Sequence, residues 1–191
     1  MVWQVYIACA TTTVDMGTFD CPALCDDLCG RKVVPKDDRY FKNNNIIPDL
    51  CRDEVMQGIY NPIASKKADK AAKRALALTS RYFKYNRADD ESDAFRHFIW
   101  SGLISTDTSP EFAKKITDAH ESCMTSDVAQ TMDLHNNQVG INAAINLKKQ
   151  GKLSEENLIR EGFKLLKDKK LVVIKSRRGF KVPEFDGGKN E

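Results

Sequence analysis

The chain has 191 residues, 30% of them charged, and a formal net charge of +3. That length suffices for one domain with a real core, and a charge so nearly balanced argues against nucleic acid as the partner, which calls for a concentrated basic stripe. No run reaches the roughly 18 apolar residues of a membrane span, and the apolar start, MVWQVYIACATTTVDMG, has no lysine or arginine ahead of it as a secretory signal would.

Residues 1–50 read as a cysteine-rich N-terminal arm packed on the core, opening with an edge strand or an ordered extension. The cysteines of the chain are Cys9, Cys21, Cys25, Cys29, Cys51 and Cys123. An even count suits disulfides, and disulfides suit an oxidising destination. Cys21, Cys25 and Cys29 repeat at i, i+4, i+8, which puts three sulfurs on one helical face. Asp20 is the candidate cap of that helix, with Pro22 in its first turn and Gly30 after its end. The spacing is not the C-x2-C knuckle of zinc sites, so a helix stapled to Cys9, Cys51 or Cys123 is preferred over a metal cluster. Residues 31–50 carry two prolines and an asparagine run and read as a connecting loop.

Residues 51–185 form the helical domain. A short helix over 51–60 ends at Asn61-Pro62. The alanine-rich stretch SKKADKAAKRALALTSRYFKY is helical, with Ser65 as its N-cap and a basic, solvated outer face. A helix begins near Asp90 or Ser92 and runs through Ile104. Ser109-Pro110-Glu111 supplies a cap, a proline at N1 and an acid in the first turn of the next. Ser126 opens another that ends at Gly151, and Ser154-Glu155-Glu156 opens the last. LVVIKSRRGFKVPEF then reads as two short strands around Arg178-Gly179, and 186–191 as a disordered tail. The expected fold class is mainly α: a compact domain of about five to seven helices with a short C-terminal β-hairpin.

All three histidines lie between residues 93 and 140, each with an aspartate close upstream. Asp93 and His97 are i, i+4 and share a helical face, with Arg96 just off it. Asp118 and His120 are i, i+2, with Glu121 next. Asp133 and His135 are also i, i+2, followed by Asn136 and Asn137. A carboxylate near a histidine fixes its tautomer and raises its basicity. An i, i+2 pair on a regular helix is rotated about 200° apart, so its two members converge only near a helix end or bend. Asp133, Asn136, Asn137 and Gly140 make one stripe, where Gly140 admits a close backbone or a ligand.

Mixed Asp, Glu, Asn and His side chains favour a divalent cation, with Ca, Mg, Mn and Zn all compatible. The expected ligands are Asp93, His97, Asp118, Asp133, Asn136 and Asn137. His120, Glu121 and His135 are the expected acid–base groups, and Arg96 the stabiliser of an oxyanion or phosphate. A metal-free alternative uses His120 or His135 as acid–base, oriented by Asp118 or Asp133. The spacing is no established ligand signature, so a network that only holds helices together is the competing reading.

The motifs D-A-F-R-H-x-x-W at 93–100, D-A-H-E at 118–121 and M-D-x-H-N-N-x-x-G at 132–140 resemble a bacterial domain found in exported toxin-like proteins, often at their C-terminal end. The resemblance implies bacterial origin, a helical fold and an effector role, and by position it points to Asp93, Arg96, His97, Asp118, His120, Glu121, Asp133, His135, Asn136 and Asn137. The cysteine-rich arm lies outside it.

Together these readings predict an exported antibacterial effector with a metal-dependent hydrolase site. Its substrates would be envelope phosphoesters or pyrophosphates, such as lipid-linked cell-wall precursors or phospholipids. It would leave its host on a secretion-apparatus carrier without a signal peptide, act in the periplasm of a target cell, and be neutralised by a cognate immunity protein. The alternatives are a metal-dependent nuclease toxin, suggested by His135-Asn136-Asn137 and a lysine-rich C-terminal third, and a non-catalytic binding module.

Overall fold

The computed structural model describes residues 52–122 and 126–187. Among them the chain is mainly helical, with six helices: α1 (Arg52–Tyr60), α2 (Pro62–Tyr82), α3 (Glu91–Asp107), α4 (Pro110–Glu121), α5 (Asp127–Lys149) and α6 (Glu155–Lys167). The expected cysteine helix, the loop over 31–50 and all six cysteines fall outside the described residues. No described helix is long and apolar enough to cross a membrane.

Four helix starts follow from capping side chains. Asp90 accepts from the Ser92 and Asp93 backbone N–H groups, Ser109 from Phe112, Ser126 from Ala129 and Ser154 from Asn157. Each satisfies donors that a helix otherwise leaves orphaned. The cap expected at Ser65 is not there. α2 begins at Pro62, one turn earlier, and the Ser65 N–H already donates to the Asn61 carbonyl. Proline has no N–H to lose at N1 and a φ preset for a helix, so Pro62 decides the start. Gly151 ends α5 with φ +67, its N–H on Lys148 and the Lys152 N–H on Leu147, a Schellman motif.

α3 is the hub. From Glu91 to Ser105 every residue except Arg96 is buried, because α2, α4, α5 and α6 all pack against it. Small residues make this crowding workable. α2 turns Ala68, Ala71 and Ala75 inward. A Cβ on Gly140 would lie 2.1 Å from the Phe98 carbonyl oxygen. The close approach expected at Gly140 is therefore of helix backbone, α5 on α3. On the far side from the polar stripe, Phe95 stacks on Phe163 at 5.0 Å and lies 5.2 Å from Phe83. Burying each such ring contributes about 1.5–3 kcal/mol.

The expected hairpin is not formed: no strand occurs among the described residues. Its turn is present, with the Phe180 N–H on the Arg177 carbonyl and Gly179 at φ +74. The flanks pair with α5, with the start of α3 and with the loop before it instead of with each other. Asn136 exchanges two hydrogen bonds with the Val172 backbone, both 2.9 Å. The Ile174 and Lys175 N–H groups donate to the Asp89 carbonyl. Ser176 and the Arg177 N–H donate to Glu91 at 2.7 and 3.0 Å. The side chains of Asn136 and Glu91 and the Asp89 carbonyl thus take the backbone groups that a hairpin would have used. Residues 171–187 run as a strap, and Phe180 stacks on Phe83 at 6.1 Å. Asp186, expected in the tail, accepts from Arg81 at 2.7 Å and Tyr82 at 3.1 Å.

Candidate metal centre

The first turns of α3, the last residue of α4 and the first half of α5 supply the centre. Asp93 stands in the first turn of α3, where the exposed backbone donors favour a carboxylate. It accepts from the Asp89 N–H at 2.5 Å and from the Arg96 guanidinium. Arg96 also donates to Asn86 at 2.8 Å. One turn on, His97 places Nε2 3.4 Å from Asp93 Oδ1 and 3.6 Å from Asp133 Oδ1 of α5. Its other nitrogen, Nδ1, lies 3.3 Å from Oε1 of Glu121, the last residue of α4. Asn137, one turn beyond Asp133, donates to that Glu121 oxygen at 2.9 Å. Asp93, His97, Glu121, Asp133 and Asn137 are all buried, and Arg96 is partly exposed.

Ligand atoms of Asp93, His97 and Asp133 lie within 4.8 Å of one another, close enough to share one cation. Nε2 would be the histidine ligand, with Nδ1–H directed at Glu121 and Asn137 holding Glu121. That layered arrangement is the usual support of a metal-bound histidine. The surroundings are rich in acceptors. Asp133 Oδ1, Glu121 Oε2 and Asn137 Oδ1, with one ring nitrogen, His97 Nδ1, are buried without a hydrogen-bond partner, a condition that buried polar atoms seldom tolerate.

The protonation states reflect the same crowding. Burial alone would lower the His97 pKa, but its contacts with Asp93 and Glu121 and the charge of Asp133 raise it to about 9. Burial, with the charges of Glu121 and Asp93, raises Asp133 to about 7 against the pull of His97 and Arg96. Burial would raise Asp93 too, yet its bond to His97 and the Arg96 charge hold it below the ordinary value. Neighbouring carboxylates pushed apart in this way make the cluster a candidate site, and a structural ion network produces the same pattern.

The other expected residues lie elsewhere. His120 stands beside the centre, 6.4 Å from His97 between ring centroids, and Nδ1 meets Glu54 of α1 at 2.9 Å. Burial would lower its pKa, but Glu54 raises it. Asp118 is on the outer side of α4, paired with Lys114 at 2.6 Å, and takes no part. His135 is exposed, and its Nε2 meets the Lys170 carbonyl at 3.0 Å. Asn136 is committed to the strap. The i, i+2 rotation on a regular helix accounts for both separations: Asp118 leaves His120, and His135 leaves Asp133. Sequence reasoning missed Glu54, whose partner is 66 residues away. It also missed Asp89 and Asn86, the loop residues that hold Asp93 and Arg96.

A helical domain with a buried Asp–His–Asp centre, backed by a glutamate and an asparagine, is what the fold and the site define. Residues 55–170 match the family described as a domain of unknown function, DUF6973, and the chain belongs to that family. The matched span contains the whole centre and ends where the strap begins. No curated protein and no solved structure matches the chain.

Proposed function

We propose that the domain is a metal-dependent hydrolase whose divalent cation is held by Asp93, His97 and Asp133. The observation that carries this reading is the cluster of those three ligand atoms within 4.8 Å in a buried setting. A bound cation would polarise an oxygen of the substrate and acidify a coordinated water. Arg96, at the edge of the centre, suits a substrate with anionic oxygens, and phosphoesters or pyrophosphates are the class to test first. Oxygen-rich ligation with a single imidazole leaves Mg, Mn, Ca and Zn all in play.

The wider setting belongs to the same proposal. The resemblance of the three motifs to exported toxin-like proteins, together with the cysteine count, supports an antibacterial effector acting in the envelope of a target cell. A carrier from a secretion apparatus and a cognate immunity protein are the partners that such a role requires. A structural network is the competing reading, and one observation favours it: a protonated His97 among three carboxylates neutralises much of their charge unaided.

The test uses the full chain, titrated calorimetrically with Mg²⁺, Ca²⁺, Mn²⁺ and Zn²⁺ in turn, and then assayed on phosphomonoester, phosphodiester and pyrophosphate substrates. One equivalent of metal and metal-dependent cleavage are expected, with both lost in Asp133→Ala. Expression behind a periplasmic signal should slow bacterial growth more than expression in the cytoplasm. Failure of all four metals to bind would leave the structural network as the function of these residues. Metal-dependent breakdown of nucleic acid, with toxicity confined to the cytoplasm, would make the nuclease the correct reading.

A further inference from the structure

A cleft of about 130 Å³ adjoins the centre, lined by Ala72, Ala75, Arg96, His97, Trp100 and His120. This is well below the roughly 300 Å³ at which pockets begin to enclose a whole drug-sized ligand. It has room for a head group, with the rest of a larger molecule left outside. Its walls are of two kinds. Ala72 and Ala75 of α2 and the Trp100 ring offer apolar surface, while Arg96, His97 and His120 bring nitrogen.

His120 is held in place from two sides. Its Nδ1 is 2.9 Å from Glu54 Oε1, and a carboxylate only accepts, so the proton lies on Nδ1. Its ring meets Trp100 edge-on, with centroids 5.1 Å apart and planes at 75°. Trp100 is itself fixed by an Nε1 bond to the Ala68 carbonyl at 3.4 Å. These contacts leave Nε2 as the nitrogen with which His120 can meet a ligand.

We propose that this cleft is an oxyanion subsite that seats one tetrahedral phosphoryl group between Arg96 and the Nε2 of His120, with Glu54 as the positioning residue for His120. The proposal rests on the metal reading above. Asp93, Asp133, Glu121 and Glu54 outnumber Arg96, His97 and His120 around the cleft, so without a cation the field opposes an anion. A divalent ion at the centre reverses that balance. With Nδ1 engaged by Glu54, His120 meets the phosphoryl group through Nε2, as donor to an ionised oxygen or as acceptor from a protonated one. The subsite thus names a substrate with a terminal or bridging phosphoryl group whose remainder lies outside the cleft.

The experiment uses the full chain, first saturated with whichever of the four cations binds and then titrated with inorganic phosphate. Binding is followed by calorimetry and by the ¹⁵N resonances of the histidine rings. Phosphate should bind the metal-loaded protein, bind far more weakly without metal, and move the His120 Nε2 resonance. His120→Ala should weaken phosphate about 10- to 100-fold, the range of one charge-assisted hydrogen bond, with metal affinity unchanged. Glu54→Gln should weaken it by a smaller factor and shift the His120 ring signals before phosphate is added. Metal-loaded protein that ignores phosphate would overturn the subsite while leaving the metal centre intact. So would an undiminished phosphate affinity in His120→Ala protein whose helical content matches that of the unsubstituted chain. Absence of metal binding would overturn the reading beneath it and the subsite together.

Discussion

Two buried polar clusters sit a turn or two apart on the same pair of helices, and they are built on opposite lines. One is the clasp that holds the strap. There Asn136 gives and takes a hydrogen bond with Val172, Glu91 accepts from Ser176 and Arg177, and Arg177 meets Asp90 at 2.8 Å. The buried atoms of Asp90, Glu91 and Arg177 that lack hydrogen bonds face opposite charges within the cluster. The other is the centre, where the unpartnered atoms are three acceptor oxygens, on Asp133, Glu121 and Asn137, against one ring nitrogen, His97 Nδ1. A cluster that matches its own donors and acceptors holds a fold together. A cluster with acceptors in excess calls for a cation. Asn136 and Asn137 are neighbours in sequence, yet one belongs to each.

The largest expected effect comes from the ligands. Loss of a supporting side chain costs 10- to 100-fold in metal affinity, so Asp133→Ala, which removes a ligand, should exceed about 100-fold. Asp133→Asn should have the same sign for metal. In chelated protein it should raise the melting temperature at neutral pH, because it removes a carboxylate crowded by Asp93 and Glu121. A thermal scan with and without chelator checks both; a destabilised, metal-competent Asp133→Asn protein would assign Asp133 to the scaffold.

The adjacent asparagines sharpen the contrast. Asn136→Ala removes both hydrogen bonds to the Val172 backbone, an expected loss of about 1–3 kcal/mol in denaturant unfolding. Its metal affinity should stay near that of the unsubstituted chain. Asn137→Ala frees Glu121 and should weaken metal binding by roughly 10- to 100-fold. Equal effects of the two substitutions on metal would erase the distinction between clasp and centre.

The contrast extends to pH. His97 is raised from 6.5 to about 9, so its contribution to the metal-free fold is complete below about 6.5 and is lost as pH rises through about 9. Asp133 is raised from 3.8 to about 7, so its linked contribution fades over that range. Asp93 has the opposite sign, since its lowered pKa favours the fold above its ordinary value and fails only in acid. Chelated protein should therefore lose stability steadily from about pH 5 to 9. Metal affinity should rise with pH over the same interval, because the cation must displace the His97 proton. Chemical denaturation at a series of pH values measures the first trend and calorimetry the second; flat profiles would remove His97 as a ligand.

What was legible in the sequence was local. The caps at Asp90, Ser109, Ser126 and Ser154 act within three residues, so spacing alone finds them. Asp93 and His97 share a face because both stand on one regular helix. The failures were non-local. Ser65 has the composition of a cap but lies inside a helix begun by Pro62. The β-branched run after Lys170 has strand propensity, yet Asn136 and Glu91 claim its backbone from across the molecule. Glu54 carries no motif, and only the packing of α1 on α4 brings it to His120.

The most direct measurement is a crystal of the full chain grown with Mn²⁺ and examined for anomalous scattering. The account predicts one strong peak among Asp93, Asp133 and the Nε2 of His97, with Glu121 on Nδ1 and outside the coordination sphere. A peak elsewhere, or none while these three side chains keep their places, would contradict it.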